Sequence, residues 1–409
     1  MLGLRIDGES LWETLMEVGQ IGKEGVGVSR LALNDADGEA RDLFTEWLRE
    51  EDLDVKVDNV GNIFGVRKGL NFDMKPVMMG SHLDTVRQGG LFDGALGVIS
   101  GLEVIRQLNR EGVETLRPVV VAAFTNEEGA RFQPDMMGSM VYTGRLDLEK
   151  AWQAFDDDGV TVKEELSRLG YLGDDRVESG CYLELHVEQG PLLHSEGVEI
   201  GVVEGVQGMA WWDGCYSGEA NHAGTTPLSM RRDALLGAAD LCVGLRETAE
   251  RLGKGSVATM GRLRPQPDVR NVVPGGAIFT LDFRQYDEAL YEKGQRTVSA
   301  LVREVADKHN LEMSLTQTVD AKPVRFSPMM VNLVERITKK LHYSHIRMHS
   351  GAGHDAQFMS YLCPTSMVFV PSINGRSHSP DERTTKTACV NGANVLLNCV
   401  MQLAYDETL

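Results

Sequence analysis

The stretch PVMMGSHLDTVRQGGLFDGALGV (residues 76–98) predicts how this chain folds. It opens with a short apolar run, PVMMG, which is typical of a buried strand. A glycine-containing loop follows, and the residues from Ala95 to Leu108 have the apolar spacing of a helix. A strand, a loop and a helix in succession form the repeating unit of an α/β protein, so we expect a mainly parallel sheet.

Further segments of the same kind lie on both sides of this stretch. Apolar runs that predict strands are NIFGV (62–66), VVVAAF (119–124), CYLELHV (181–187) and SMVFV (366–370). Apolar residues at helical spacing occur within 11–18, 43–48, 328–342 and 385–405. We therefore expect one α/β catalytic domain formed by residues 1–210 and 325–409.

The pattern changes between residues 211 and 324. Here the predicted elements are a strand within 209–220, a helix at 231–252, strands at 256–263 and 276–284, a helix at 288–309 and a strand at 311–319. The order βαββαβ is that of a ferredoxin-like unit. Because 409 residues exceed what one core usually supports, an inserted α+β domain fits the length.

Composition excludes several kinds of partner and location. The chain has 60 acidic and 41 basic residues, so it lacks the positive charge that nucleic acid or an anionic membrane requires. No apolar stretch is long enough to span a bilayer, and the acidic N-terminus does not resemble a secretory signal, which favours the cytoplasm. The six cysteines include no CxxC pair, so buried thiols are expected rather than disulfides or a thiolate metal site.

The loop after the strand 76–80 carries the first chemical signal. It contains His82, Asp84 and Asp93, and loops at the carboxyl ends of strands hold functional groups in open α/β sheets. His82 and Asp84 are two residues apart, so their side chains share one face of an extended segment. Asp84 could then accept the second N–H of a metal-binding imidazole. The alternative is a turn that contains these residues by chance.

The second signal is TNEEGARF (125–132), which directly follows the apolar run 119–124. Adjacent carboxylates repel each other unless cations or solvent compensate them. Glu127 and Glu128 also point in different directions, so one can bind a metal while the other acts as a general base. Taken alone, such a pair more often marks the start of a helix.

Two weaker signals involve single histidines. His186 lies in ELHVEQG (184–190), which also contains Gln189, and His378 lies in NGRSHSPDE (374–382). Each histidine alone would be read as a core or loop residue. Together with the two earlier loops they supply the mixed nitrogen and oxygen ligands of Zn²⁺, Mn²⁺, Co²⁺ or Ni²⁺. Five such ligands can hold two ions if one carboxylate bridges them.

These motifs, in this order, resemble the family of N-carbamoyl-L-amino-acid amidohydrolases, allantoate amidohydrolases and β-ureidopropionases, which are relatives of dinuclear aminopeptidases. The resemblance covers nearly the whole chain and rests on the motifs GSHxDTV…GG…DG, TNEEGARF, ELHxEQG, NHAGTTPxxxRRDA and SHSPxE. The peptidase relatives usually have a carboxylate at the position of His186, so the histidine favours the carbamoyl branch.

The resemblance implies a role for each residue of the first domain that carries these motifs. It implies two divalent ions per subunit, with the ligands His82, Asp93 as the bridge, Glu128, His186 and His378. Glu127 would be the general base, and Asp84 would orient His82. Gln189, Gly353 and His354 match positions that contact the substrate in the family.

The inserted domain (211–324) is expected to act as a lid and dimerisation domain. In the family, the residue matching His222 reaches the active site of the partner subunit and stabilises an oxyanion. Asn271 and Arg284 match residues that bind the substrate carboxylate, and a guanidinium suits a carboxylate because it binds bidentately. Without the resemblance, Arg284 would be read as a strand-end salt bridge.

The function implied is hydrolysis of the ureido C–N bond of an N-carbamoyl-L-amino acid by a homodimer. The alternatives are allantoate, 3-ureidopropionate or another small carboxylated ureido or amide substrate, or an N-acyl or peptide substrate. A binding or scaffold protein with a vestigial site is a third hypothesis, although every expected ligand is present. The paired Trp211 and Trp212 and the acidic region 135–180 indicate no substrate preference.

Overall fold

The computed structural model describes residues 3–407, which form two compact units. One unit comprises the chain up to Gly205 and from Arg325 onwards, and the other is Val206–Val324. The second unit therefore interrupts the first in sequence. The functional division predicted for 1–210 with 325–409 and for 211–324 remains a prediction.

A nine-stranded sheet is the centre of the first unit. Its strands are Asp54–Val57, Ile63–Arg67, Val77–His82, Val119–Phe124, Cys181–Val187, Ile200–Val206, Val324–Arg325, His345–Ser350 and Thr365–Val370. A separate two-stranded hairpin joins Lys23–Glu24 to Gly27–Val28. Every residue of the strands at 77–82, 119–124, 181–187 and 365–370 is buried, so these four strands form the core.

The sheet is mixed, which corrects the expectation of a mainly parallel one. The four core strands pair in parallel, in the order 365–370, 181–187, 77–82 and 119–124. Ile63–Arg67 pairs antiparallel with both Val119–Phe124 and Asp54–Val57. Only residues 58–62 connect the strands 54–57 and 63–67, and so short a connection cannot form the crossover that parallel neighbours require.

Helices cover the sheet of the first unit. Their bounds are Gly8–Val18, Asp35–Glu50, Ala95–Arg110, Met137–Tyr142, Leu148–Gln153, Val162–Leu169, Leu192–Glu196, Pro328–Lys340, Asp355–Met359 and Lys386–Leu403, with a 3₁₀ turn at Ile373–Gly375. The helix Ala95–Arg110 is buried along most of its length, because it packs on the core strands and on the helices at 8–18 and 386–403. This helix begins directly after the loop that carries Asp93.

The acidic region 135–180 contains three of these short helices. Thr161 and Glu164 form a capping box at the start of Val162–Leu169. The guanidinium of Arg131 forms ion pairs with Asp156 at 3.0 Å and with Glu165 at 2.9 Å. Ion pairs and helix caps therefore order a region whose sequence has no regular apolar pattern.

The second unit has the predicted βαββαβ order. The strands Gly208–Ser217, Val257–Gln266, Gly276–Gln285 and Glu312–Ala321 form an antiparallel sheet in which the strand 276–285 lies between 257–266 and 208–217. The helices Ala234–Leu252 and Glu288–Lys308 pack on one face, with Tyr216, Phe279 and Phe283 in the core. The unit also contains a hairpin of Asn221–His222 with Val272–Val273 and a 3₁₀ turn at Leu228–Met230.

All six cysteines have free thiols, and Cys181, Cys363, Cys389 and Cys399 are buried. Cys215 is half-buried and Cys242 is exposed, so the expectation of buried thiols is wrong for these two. Within residues 3–407, no helix has the length and hydropathy needed to cross a bilayer.

Candidate metal centre

The candidate ligands of the first unit meet at the carboxyl ends of the parallel core strands. His82 is the last residue of its strand, and His186 is the last but one residue of the neighbouring strand. Glu127 follows the strand Val119–Phe124, and His378 lies in the loop after the strand Thr365–Val370. Since parallel strands end at the same edge of a sheet, residues far apart in sequence become neighbours here.

Asp93 lies at the middle of this cluster. Its Oδ1 atom is 3.7 Å from Nε2 of His82 and 3.1 Å from Nε2 of His186. Its Oδ2 atom is 3.4 Å from Nε2 of His378. One carboxylate thus faces two histidines with one oxygen and a third histidine with the other, which is the arrangement a bridging ligand requires.

The two adjacent glutamates complete the cluster. Oε2 of Glu127 is 3.4 Å from Nε2 of His82, and Oε2 of Glu128 is 3.3 Å from Nε2 of His378. The Oε1 atom of Glu128 is buried and has no hydrogen-bond partner among the described residues. A buried carboxylate oxygen without a partner is costly, and a cation would satisfy it.

Of the four groups of potential ligands within residues 3–407, two contain Asp93. One set is His82, Asp93 and His186, and the other is Asp93, Glu128 and His378. Both sets combine imidazole nitrogen with carboxylate oxygen, which suits first-row divalent metals and Zn²⁺. The residues present therefore fit a pair of divalent cations that share Asp93.

Main-chain carbonyls orient the two buried histidines. Nδ1 of His82 is 2.9 Å from the carbonyl oxygen of Asp84, and Nδ1 of His186 is 2.9 Å from that of Val187. Donation from Nδ1 leaves Nε2 as the atom that binds a metal. Both Nε2 atoms face Asp93.

The prediction that the Asp84 carboxylate accepts a hydrogen bond from the imidazole of His82 is wrong. Its Oδ1 atom lies 3.9 Å from Nδ1 of His82, too far for a hydrogen bond. The two carboxylate oxygens instead accept the main-chain N–H groups of Glu127 and Glu128, both at 3.2 Å. Asp84 therefore holds His82 through its main chain and the glutamate loop through its side chain, and its assignment as a catalytic residue remains a prediction.

Burial and crowding shift the acidity of these groups. Burial, followed by the charge of Glu128, raises the pKa of Glu127 well above its usual value. Burial lowers the pKa of His82 to about 4. Burial also opposes the charged form of His186, but the contact with Asp93, the charges of Asp93 and Glu184 and the Val187 carbonyl together raise the pKa of His186 to about 9. So many carboxylates crowded into a buried site need positive charge to offset their repulsion.

Gly94 allows the loop of Asp93 to pass close to the imidazole of His82. Its N–H group donates to Nε2 of His186 at 3.2 Å, and its φ of 65° is in the region that favours glycine. A Cβ atom at this position would lie well under 3.0 Å from three ring atoms of His82. Only glycine therefore lets the Asp93 loop pass against the imidazole.

The residues predicted to contact substrate in the first unit lie beside the ligand cluster. Nε2 of Gln189 is 2.8 Å from Oδ2 of Asp93 and 3.3 Å from Nε2 of His378. The ring of His354 lies 4.5 Å from that of His186, and Gly353 precedes His354 in the same loop. Their proposed contacts with a substrate remain predictions.

The predicted substrate residues of the second unit are His222, Asn271 and Arg284. Nδ1 of His222 accepts the N–H groups of Gly224 at 3.0 Å and Thr225 at 3.1 Å. An acceptor at Nδ1 places the proton of a neutral imidazole on Nε2, which can then donate a hydrogen bond. His222 pairs with Val272 across a hairpin, and Asn271 directly precedes Val272 in the chain.

Arg284 forms the strand-end salt bridge that the sequence left open as an alternative. Its Nη2 atom is 3.0 Å from Oδ2 of Asp282, on the same strand. Both side chains are about 30% exposed, at 29% and 30%, so the pair is accessible to solvent. Recognition of a substrate carboxylate by Arg284 therefore remains a prediction.

Glu382 and Ser377 were not identified as site residues from sequence. Glu382 is fully buried, and its Oε1 atom accepts the N–H groups of Phe92 at 3.0 Å and Asp93 at 3.1 Å. The hydroxyl of Ser377 lies 3.0 Å from Oδ2 of Asp93 and 3.1 Å from Oε2 of Glu382. The only available signal was the presence of both residues in NGRSHSPDE, beside His378.

A second acidic pair lies behind His186. Glu184 is buried in the same strand as His186 and accepts from the Ser81 hydroxyl at 2.7 Å and the Ala356 N–H at 2.8 Å. Asp355 is buried as well and lies close to Glu184 and Ser139. An acid inside the apolar run 181–187 was the signal that could have identified Glu184.

Two buried histidines, one exposed histidine and several carboxylates at the end of a mixed sheet define a metal-dependent hydrolase. The chain belongs to Peptidase family M20/M25/M40, whose sequence profile matches residues 78–402. The family resemblance inferred from the sequence motifs is thereby confirmed.

Relatives and solved structures match almost the whole chain. An N-carbamoyl-L-amino-acid amidohydrolase of Rhizobium meliloti is 40% identical over 405 residues, covering 98% of this chain and 97% of the relative. An allantoate amidohydrolase of Escherichia coli is 32% identical, with 98% of each chain covered. The crystal structure of an amidase of the hydantoinase/carbamoylase family from Burkholderia multivorans is 42% identical, with a TM-score of 0.96 over 98% of this chain and 99% of that one.

Proposed function

We propose that this protein hydrolyses the ureido C–N bond of an N-carbamoyl-L-amino acid and releases the amino acid, ammonia and CO₂. The observation that carries the proposal is the convergence of His82, His186 and His378 on the two oxygens of Asp93. The 40% identity to an enzyme named for this activity supports the choice of substrate.

The cofactor in this proposal is a pair of divalent metal ions, chosen from Mn²⁺, Zn²⁺, Co²⁺ and Ni²⁺. His82, Asp93 and His186 would hold one ion, and Asp93, Glu128 and His378 the other. When bound, the ions would polarise the ureido carbonyl and lower the pKa of water so that it attacks near neutral pH.

The side chains of the protein perform the remaining steps. The carboxylate of Glu127 takes a proton from the attacking water and passes it to the leaving nitrogen. Nε2 of His222 donates a hydrogen bond to the negative charge that develops on the carbonyl oxygen. Arg284 and Asn271 hold the substrate carboxylate. Gln189 and His354 lie beside the ureido group whose C–N bond is cleaved.

The second unit would act as a lid and dimerisation domain of a homodimer. Its helix Ala234–Leu252 exposes apolar side chains, with Leu236 at 52% and Val243 at 61% exposure. The edge strand Val257–Gln266 exposes Val257. Exposed apolar residues on one element are typical of a surface that another subunit covers.

The alternative substrates are allantoate and 3-ureidopropionate. They share a carboxylate and a ureido group with N-carbamoyl-L-amino acids and differ from them in the rest of the molecule. The 32% identity to an allantoate amidohydrolase keeps the first of these open. A non-enzymatic role is disfavoured because all five expected ligands are present and four of them are largely buried. A cytoplasmic location remains a prediction.

The proposal is tested by measuring ammonia release from a panel of ureido acids. Metal-free protein is loaded with Mn²⁺, Co²⁺, Ni²⁺ or Zn²⁺ and assayed with N-carbamoyl-L-amino acids, allantoate and 3-ureidopropionate. We expect the highest kcat/KM for an N-carbamoyl-L-amino acid. Preference for allantoate or 3-ureidopropionate would select that alternative, and protein that binds no cation and releases no ammonia would refute the proposal.

Arg284→Ala is expected to raise KM for every carboxylated substrate by about 10- to 100-fold, because a charge-assisted hydrogen bond is lost. Arg284→Lys should recover only part of the loss, since an ammonium cannot bind a carboxylate bidentately. Arg246→Ala is the matched control, because Arg246 pairs with Glu250 on an exposed helix of the same unit. Steady-state kinetics on the substrate panel measure the effect, and an unchanged KM would remove Arg284 from the site.

Mixed dimers test whether His222 acts across the subunit interface. A Glu127→Gln subunit retains His222, and a His222→Ala subunit retains Glu127, so a mixed dimer contains one complete site only if His222 acts in the partner. Random assembly should then restore about one quarter of wild-type activity, because half of the dimers are mixed. Activity is measured after the two inactive variants are unfolded and refolded together. Failure to recover activity from dimers that have exchanged subunits would place His222 in its own subunit's site.

A further inference from the structure

Glu382 is a buried carboxylate without a cationic side chain to balance it. Its hydrogen-bond donors are the main-chain N–H groups of Phe92 and Asp93 and the hydroxyl of Ser377. Within residues 3–407, no lysine or arginine side chain forms an ion pair with the carboxylate of Glu382. Neutral donors offset only part of the cost of burying a charge, so this position needs another source of compensation.

The charge of the neighbouring Asp93 carboxylate adds to the cost of burying Glu382. Asp93 is also buried, and the single hydroxyl of Ser377 lies within hydrogen-bond distance of both carboxylates, 3.0 Å from Asp93 and 3.1 Å from Glu382. One hydroxyl proton can serve only one of them fully. Cations that bind to the carboxylate oxygens of Asp93 would therefore stabilise both buried carboxylates.

Glu382 also joins two segments that carry metal ligands. Its Oε1 atom fixes the main chain of Phe92 and Asp93, directly before Gly94. Its Oε2 atom accepts from Ser377, the residue before His378. Asp93 and His378 are 285 residues apart in sequence, and Glu382 provides contacts to both loops.

The loop 89–94 packs closely against the carboxyl group of Glu382. A Cβ atom added to Gly90 would lie well under 3.0 Å from the carboxyl group of Glu382. The loop 89–94 therefore passes directly over the carboxylate, and its N–H groups converge on Oε1 rather than on solvent.

We propose that Glu382 is a positioning residue of the metal centre, which orients Asp93 to bridge two cations and aligns the loop of His378 through Ser377. With a cation bound by Asp93, the Ser377 hydroxyl would donate to Glu382 instead, so Glu382 would draw one of the two donors on Oδ2, Ser377 and Gln189, away from that oxygen. The inference rests on the metal centre proposed above and adds to it a residue that binds neither metal nor substrate.

Glu382→Gln tests this role by metal binding. The amide retains an oxygen that can accept the two main-chain N–H groups, but its NH₂ group cannot accept from Ser377. We expect the affinity for Co²⁺ to fall by about 10- to 100-fold, the range found when an outer hydrogen-bond partner of a metal site is removed. Titration of metal-free protein with Co²⁺, followed by its visible absorption spectrum, measures both affinity and coordination geometry.

Thermal unfolding separates positioning from general stabilisation. Metal-free Glu382→Gln should melt at or above the temperature of the metal-free wild type, because an uncompensated buried charge is removed. The increase in Tm that Co²⁺ produces should shrink in the variant, because weaker binding stabilises less. Glu103→Gln is the matched control: Glu103 is fully buried but pairs with Arg110 at 2.8 Å, so this variant should lose Tm and keep Co²⁺ affinity.

The outcomes distinguish this inference from the proposed function. Wild-type protein that binds no cation refutes the metal centre itself. Wild-type protein that binds two ions, together with Glu382→Gln that binds them equally well and with an identical spectrum, overturns only the inference. If Glu382→Gln does not fold, Ser377→Ala replaces it: weakened Co²⁺ binding supports the role, and unchanged binding overturns it.

Discussion

Glu127→Gln is expected to lower kcat by about 10²- to 10⁴-fold, the usual contribution of a general base, while the protein still binds two metal ions. Glutamine matches the size of glutamate but cannot accept a proton from water. Oε2 of Glu127 lies 3.4 Å from Nε2 of His82, so the carboxylate is adjacent to a candidate ligand. Its main chain is held by Asp84, which the substitution leaves in place.

The neighbouring glutamate provides a matched comparison. Glu127 and Glu128 are adjacent, and their N–H groups both donate to Asp84. Glu128→Gln should lose one of the two ions, because Glu128 belongs to the set with Asp93 and His378. Glu127→Gln should keep both ions and lose turnover. The two variants thus separate a base from a ligand at consecutive positions.

Metal analysis and steady-state kinetics on the same preparations measure this difference. Glu127 also forms a possible ligand set with His82 and Glu128, so a ligand role is a real alternative. Loss of an ion from Glu127→Gln would assign Glu127 to that set. A kcat close to the wild-type value with both ions bound would refute Glu127 as the base.

The sequence allowed the candidate site to be predicted because each candidate ligand belongs to a local motif. Apolar runs mark the core strands, and chemically unusual residues follow them, so His82, Glu127 and His186 could be assigned to one edge of a sheet. The structure brings these residues together with Asp93 and His378. The βαββαβ order of the second unit was predictable for the same reason, since strand and helix periodicities alternate clearly there.

The missed features depend on pairings between distant segments. Nothing near Glu382 in the sequence indicates that its carboxylate accepts N–H groups from residues 92 and 93. The main-chain contact of Asp84 to His82 could not be distinguished from a side-chain contact, because both place the two residues on one face. The mixed sheet also escaped prediction, because the apolar run at 62–66 does not reveal whether its strand pairs parallel or antiparallel with a neighbour.

Gly94→Ala is expected to disrupt the metal centre and to lower kcat/KM by at least about 10²-fold, the effect of displacing a catalytic group by about 1 Å. The added methyl group would lie well under 3.0 Å from Cε1, Nδ1 and Nε2 of His82. His82 is buried and its Nδ1 is bound to the Asp84 carbonyl, so the ring cannot move without breaking that contact. Either the imidazole of His82 or the loop of Asp93 must shift, and both supply candidate ligands.

Gly112→Ala controls for the backbone cost of the substitution. Gly112 also has a positive φ, 59°, but a Cβ atom there would have nothing within 4 Å. Both variants should therefore lose stability from an alanine at a positive φ, whereas only Gly94→Ala should lose metal. Ion content after dialysis, Tm with and without Co²⁺, and kcat/KM are measured for both variants. Equal metal content and equal activity in the two variants would mean that the close contact between Gly94 and His82 does not constrain the centre, and the ligand geometry derived from Asp93 would then be wrong.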